Sequence, residues 1–183
     1  MIATVKGEFK KFEADVYTVG LNFLTADINL WIDTESVDTG DAKRDQHLKS
    51  ADFFDVAVYK EISFTSHGIE KADKDGNHEL WGVLTIKGIS KKIKLDVAFG
   101  GVIRDPWGND RAGFNVVGKI NRKDWGLIWN TEVGNGGVML GDEVKIECDI
   151  QLVKPAEGHA VMTAEKEEEE HHEKEEDKLL QLE

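Results

Sequence analysis

The chain has 183 residues, enough for one domain with an appendage, and 40% of them are hydrophobic, ordinary for a globular fold. Its formal net charge of −13 opposes a phosphate-neutralising nucleic-acid surface and tight docking on anionic headgroups. No apolar run approaches the ~18 residues needed to cross a bilayer, and a lone cysteine, Cys148, leaves no partner for an internal disulfide.

Met1 to Gly7 lacks the apolar stretch of a secretion signal, so the sequence as it stands is expected in the cytoplasm, or in the periplasm if its true start lies upstream. From there the chain alternates. Ala26, Ile28, Leu30 and Ile32 alternate with Asp27, Asn29, Trp31 and Asp33, which predicts a strand with one apolar and one wet face. Asp41 is placed to cap a short helix over about 42–50, with Lys49 near its negative pole and Phe53 and Phe54 anchoring the segment beyond it. Ile62 with Phe64, then Leu80, Gly82, Leu84 and Ile86, resume the period of two. Between them, Asp75-Gly76-Asn77 predicts a hairpin, because Asp-Gly accepts the positive φ angles of the turn.

Ile93, Leu95, Val97 and Phe99 form the next apolar face, broken at Gly100-Gly101. A wider turn is expected at 105–110, before Phe114, Val116 and Ile120. Gly134-Asn135-Gly136-Gly137 and Gly141-Asp142 punctuate the approach to the cleanest set, Val144, Ile146, Cys148, Ile150 and Leu152. One-sided alternation of this kind is the mark of antiparallel rather than parallel sheet, and a meandering barrel also removes exposed edges. Residues 155–183 carry eleven acidic and three basic side chains, and their composition suits solvated helix or disorder. Two regions are therefore expected, a β-domain over 1–154 and an acidic tail over 155–183.

At 44–55 the chain reads Arg44-Asp45-Gln46-His47-Leu48-Lys49-Ser50-Ala51-Asp52-Phe53-Phe54-Asp55, and here it closely resembles the bacterial YceI-like family. Ser36-Val37-Asp38-Thr39, Tyr59-Lys60-Glu61-Ile62-Ser63-Phe64 and Gly82 to Ser90 match in order, as do Asn121-Arg122-Lys123-Asp124-Trp125-Gly126-Leu127 and Gly141 to Ile146. The resemblance covers about Val5 to Lys154. It implies an all-β, lipocalin-like antiparallel barrel of eight strands with one short helix inserted, which binds polyisoprenoid and related amphiphilic lipids for sequestration or transport. Lys60 departs from the family's usual proline after the tyrosine. Family members usually open with a strand ahead of the segment matching Val5 to Phe9, so the expectation is either a true start upstream or a barrel lacking that first strand. The seam this leaves would invite a homodimer.

The inward apolar set is Ile28, Leu30, Phe64, Leu84, Ile86, Leu95, Val97, Phe114, Val116, Ile146 and Cys148. Alternation fits a filled core as well as a lined pocket, since an eight-strand barrel is wide enough for either; the resemblance favours the pocket. Cys148, with inward parity, is expected as a small buried hydrophobe. Arg44, His47, Phe53 and Phe54 stand where a pocket mouth would hold a headgroup, although Arg44 and His47 equally fit pinning the helix, because buried charges survive by being paired. Arg122 and Asp124 are read as structural, and Trp81, Trp107, Trp125 and Trp129 as strand-end anchors or entrance lining. His171 and His172 lack the spacing of a fixed metal site, so neither metal nor cofactor is expected. No nucleophile motif accompanies the histidines, and the reading is a binder, not an enzyme. The competing readings are an enzyme acting on such a lipid with His47 as base, and an interaction module using the acidic tail.

Overall fold

Period-two alternation dictates extended backbone, and the computed structural model, which describes residues 4–20, 22–70, 77–133, 137, 138 and 140–154, is built mainly of strands. In chain order these are β1 (Glu8–Phe9), β2 (Phe12–Val19), β3 (Asn22–Asp33), β4 (Val37–Asp38), β5 (Glu61–Ile69), β6 (Asn77–Ile86), β7 (Ile89–Arg104), β8 (Asp110–Asn121), β9 (Glu132–Val133), β10 (Gly137–Val138) and β11 (Glu143–Lys154). The helix α1 (Ala42–Lys49) falls where the sequence places it. The Asp41 carboxylate accepts from the Lys43 and Arg44 amides at 3.0 and 3.2 Å. Ser50 ends the helix by donating its hydroxyl to the His47 carbonyl at 2.7 Å.

The main sheet has seven strands in the order β11-β8-β7-β6-β5-β3-β2, while β1 pairs with β4 and β9 with β10 in short two-stranded sheets. The expected all-β, antiparallel fold with its inserted helix is present. Among the described residues, β2 and β11 lie at the two margins of the main sheet. The hairpin expected at Asp75-Gly76, the glycines 134–136 and the acidic tail lie outside the described residues.

Two compact units can be described separately. The first comprises Met1–Gly100 and Phe114–Ile150. Its sheet is curled, as ring positions show. Neighbouring strands lie roughly 4.8 Å apart, so β3 and β8, four places apart in the strand order, would be about 19 Å apart if flat. Yet the Phe23 ring on β3 lies 5.4 Å from that of Phe114 on β8 and 4.8 Å from that of Phe99 on β7. Phe53, Ile62, Phe64, Leu80, Leu84, Ile86, Ile93, Leu95, Val97, Val116, Trp125 and Leu127 form the buried core on the inner face. Glycines let large side chains lie against the backbone there. A Cβ on Gly82 would stand 2.3 Å from the Phe64 ring, and one on Gly118 would stand 2.3 Å from a Leu95 methyl.

The second unit comprises Gly101–Gly113 and Gln151–Glu183. Asp105 organises its turn from a nearly buried position, 9% exposed. Its carboxylate accepts from the Trp107 and Asn109 amides at 3.0 and 2.9 Å, from Asn109 Nδ2 at 3.0 Å and from Arg111 Nε at 2.7 Å. Burial alone would raise the Asp105 pKa, but these donors together outweigh it and hold the group at about 2.

Gly82→Ala should cost about 1–3 kcal/mol in urea unfolding, because the Phe64 ring and the Thr65 carbonyl both crowd the new methyl. Asp105 should also shape the acid limb of stability. Its folded pKa lies below the ordinary ~3.9, so its contribution is complete above that pH and fades as the pH falls through about 2. Hydrogen exchange at the Trp107 and Asn109 amides should follow that course, and Asp105→Asn should remove the dependence.

Candidate functional site

The inner face of the first unit carries an apolar wall between two aromatic ends. Along the wall, Phe64, Leu84, Ile86, Leu95, Val97 and Val116 are buried, whereas Ile28, Leu30, Phe114 and Ile146 are half-buried and packed against them. Cross-strand register explains the convergence: Leu30 faces Phe64, Phe64 faces Leu84, and Leu80 faces Leu95. Cys148 is a correction. It shares the inward parity of Ile146 but is exposed, because β11 is an edge strand with no neighbour on its far side among the described residues.

One end of the wall is built by α1 and the residues after it. Arg44 donates Nε to Thr39 Oγ1 at 2.7 Å and a terminal nitrogen to the Thr39 carbonyl at 3.0 Å. Asp45 accepts the Thr39 amide at 2.9 Å and its hydroxyl. These two side chains therefore fasten the helix to the strand before it. His47 lies one turn further along. Its Nε2 is 3.0 Å from Asp52 Oδ2, and its ring stands edge-on to Phe53 and Trp129 at centroid distances of 5.1 and 4.6 Å. Phe54 turns the other way, against Phe9 at 5.5 Å.

The Asn121 to Leu127 motif supports this end from below. Asn121 Oδ1 accepts the Lys123 amide at 3.0 Å to open a 3-10 turn over Arg122–Trp125, which closes on Gly126 at φ +72°. Trp125, 2% exposed, donates its indole nitrogen to the Leu84 carbonyl at 3.1 Å. Arg122 is buried and donates to the carbonyls of Gly141 and Trp129, both at 2.9 Å, and to that of Leu127, with Asp142 at 3.5 Å as counter-ion. Its guanidinium thus ties together two backbone stretches, Leu127 to Trp129 and Gly141, which suits a planar fork of five donors. Trp129 is presented to His47 by this bracket.

The other end is not visible in the sequence. Phe23, Phe99 and Phe114 meet there, with His78 edge-on to Phe23 at 4.9 Å. Phe23 has the parity of the outward Thr25 and Asp27. A register slip between Tyr17 and Val19, where β2 meets the start of β3, interrupts the regular alternation. Of the remaining tryptophans, Trp107 is exposed, and Trp81 carries Lys92 Nζ over its ring at 5.1 Å. A separate groove of about 540 Å³ has Lys92, Lys94, Lys119 and Lys145 among its lining residues. Lys94, Lys119 and Lys145 have carboxylate partners within 3.0 Å.

Comparison with known proteins agrees with this architecture. The model of the YceI-like domain matches residues 1–152. A UPF0312 protein of Staphylococcus aureus (strain MSSA476) is 36% identical over 152 residues, 82% of this chain and 85% of its own. The crystal structure of the Campylobacter jejuni YceI protein superposes with a TM-score of 0.75 at 30% identity, covering 84% of this chain and 87% of that one. Burkholderia cenocepacia BcnA gives 0.68 at 26%, covering 83% and 90%. A polyisoprenoid binding domain from Saccharophagus degradans shares the fold at a TM-score of 0.53 and 15% identity, covering 81% and 84%. The chain belongs to the YceI-like family.

Arg122→Leu should lower stability by about 3–5 kcal/mol, because the Leu127, Trp129 and Gly141 carbonyls lose their buried donor, while Asp142 keeps Lys123 at 2.8 Å. Tryptophan emission should shift to the red as Trp129 comes away from His47 and Phe53.

Proposed function

We propose that the protein binds a long apolar molecule, a polyisoprenoid or related amphiphilic lipid, along the inner face of its curled sheet and carries it without altering it. One observation carries the reading. Ile28, Leu30, Ile32, Phe114, Ile120 and Ile146 all pack on the core, yet each remains only half-buried. A fully interlocked core would cover them. Apolar walls suit a hydrocarbon, which needs no directional partners and contributes roughly 0.8 kcal/mol for each methylene buried. The fold is one that holds hydrophobic ligands, and the Saccharophagus degradans protein that shares it is a polyisoprenoid binding domain.

At the helix end, the exposed His47–Asp52 pair beside Trp129 is suited to a polar headgroup. Arg44 is directed to Thr39 and serves the helix instead. The reading of an enzyme with His47 as base gains no support from Ser50. That hydroxyl donates to the His47 backbone carbonyl rather than facing its imidazole. Among the described residues β2 and β11 have no partner strand on their outer sides, which supports pairing with a second copy of the chain, and Phe12, Tyr17 and Val19 add exposed apolar surface along β2.

Native mass spectrometry of the protein purified from bacteria should show a bound isoprenoid or fatty amphiphile, released intact on extraction. Leu30→Trp should fill the wall and reduce that occupancy several-fold; a chain that purifies empty under gentle conditions would count against the carrier. Sedimentation should show a dimer, and Tyr17→Lys on β2 should shift it to monomer.

A further inference from the structure

We propose that Phe23, Phe99 and Phe114 form a stop that sets how long a hydrocarbon the inner face accepts. The proposal rests on the lipid-carrier reading above and adds what limits the ligand. The three rings come from β3, β7 and β8 and meet with centroids 4.8 to 5.4 Å apart, with Phe99, 39% exposed, on the solvent side of the group. That separation suits favourable tilted and edge-on packing, so the rings hold one another in place. His78 positions the group. Its Nδ1 donates to the Glu70 carbonyl at 3.0 Å, and its ring stands perpendicular to Phe23 at 4.9 Å.

The register fixes where this stop lies. His78 faces Val97 at one end of β6, while Leu84, whose carbonyl receives the Trp125 indole, faces Lys91 towards the other. The span from His78 to Leu84 is about 20 Å at the rise of a strand. Among the described residues, the wall between is lined by Leu80, Leu84, Leu95 and Val116, with the Phe64 ring lying close against Gly82. A chain entering beside α1 would therefore run along aliphatic surface until it met the three rings. Hydrocarbon beyond that length would have to fold back or stay in water, and would add nothing to affinity.

The test uses the full chain stripped of lipid and titrated with farnesol, geranylgeraniol and solanesol, followed by tryptophan fluorescence. The wild type should gain affinity from farnesol to geranylgeraniol and none from geranylgeraniol to solanesol. Phe23→Ala should tighten solanesol by at least about tenfold, what roughly two more buried methylenes supply, and leave farnesol unchanged. Phe114→Leu, a milder change, should move solanesol in the same direction, and Phe23→Trp should weaken geranylgeraniol. A Phe23→Ala chain that binds farnesol as the wild type does, with solanesol unmoved, would overturn the stop while leaving the carrier intact. If the wild type takes none of the three alcohols, the carrier reading fails and the stop with it.

Discussion

Close contact between large side chains and bare backbone is the constraint on which the inner face depends. Phe64 lies over Gly82 and Leu95 against Gly118, at separations that leave no room for a Cβ. Glycine in a strand interior weakens it, and it is tolerated where another group must approach the backbone. Here the approaching groups are the core itself. The Phe64 ring lies close against Gly82 of β6, and side chains from β3 and β8 meet across the curl, as Phe23 and Phe114 do. A methyl at position 82 would lift the ring and push the wall outward.

The buried polar groups are each held by named partners. Arg122, Asp105 and Thr34 are buried polar groups, and each is fully occupied. Arg122 collects carbonyls, Asp105 collects amides and a guanidinium, and the Thr34 hydroxyl donates to the Tyr59 carbonyl at 2.8 Å. His47 and Asp52 differ in remaining accessible, and they lie beside the aromatic end formed with Phe53 and Trp129.

Much of this is legible in the residues. Alternation gives the inward faces of β5, β6 and β7, because those strands have neighbours on both sides and parity there decides burial. Asp41 gives the helix start, since a carboxylate ahead of an amide pair has one good conformation. Parity misleads at Cys148, where a strand at the margin of the sheet leaves an inward side chain uncovered. It misleads again at Phe23, because a slip of register is set by how β2 and β3 meet and leaves no trace in either run alone. The rule that buried charge needs partners points to structural roles for Arg44 and Arg122, but their partners are backbone groups and a threonine, which spacing cannot identify. Trp129 has no face assignable from the residues around it, and only the bracket made by Arg122 gives it one.

Among the described residues, the margins of the main sheet at β2 and β11 have no partner strand, which bears on how its inner face is shaped. A closed ring of strands has its radius dictated by strand number and stagger, so its bore admits one girth of guest. A sheet ending at β2 on one side and β11 on the other is exempt from that geometry. Its curvature can relax or tighten by small changes in twist spread over many strands, at little expense in broken backbone pairs. On the carrier proposal, thick and thin hydrocarbons share one wall, and selectivity is left to fall along the axis of the strands.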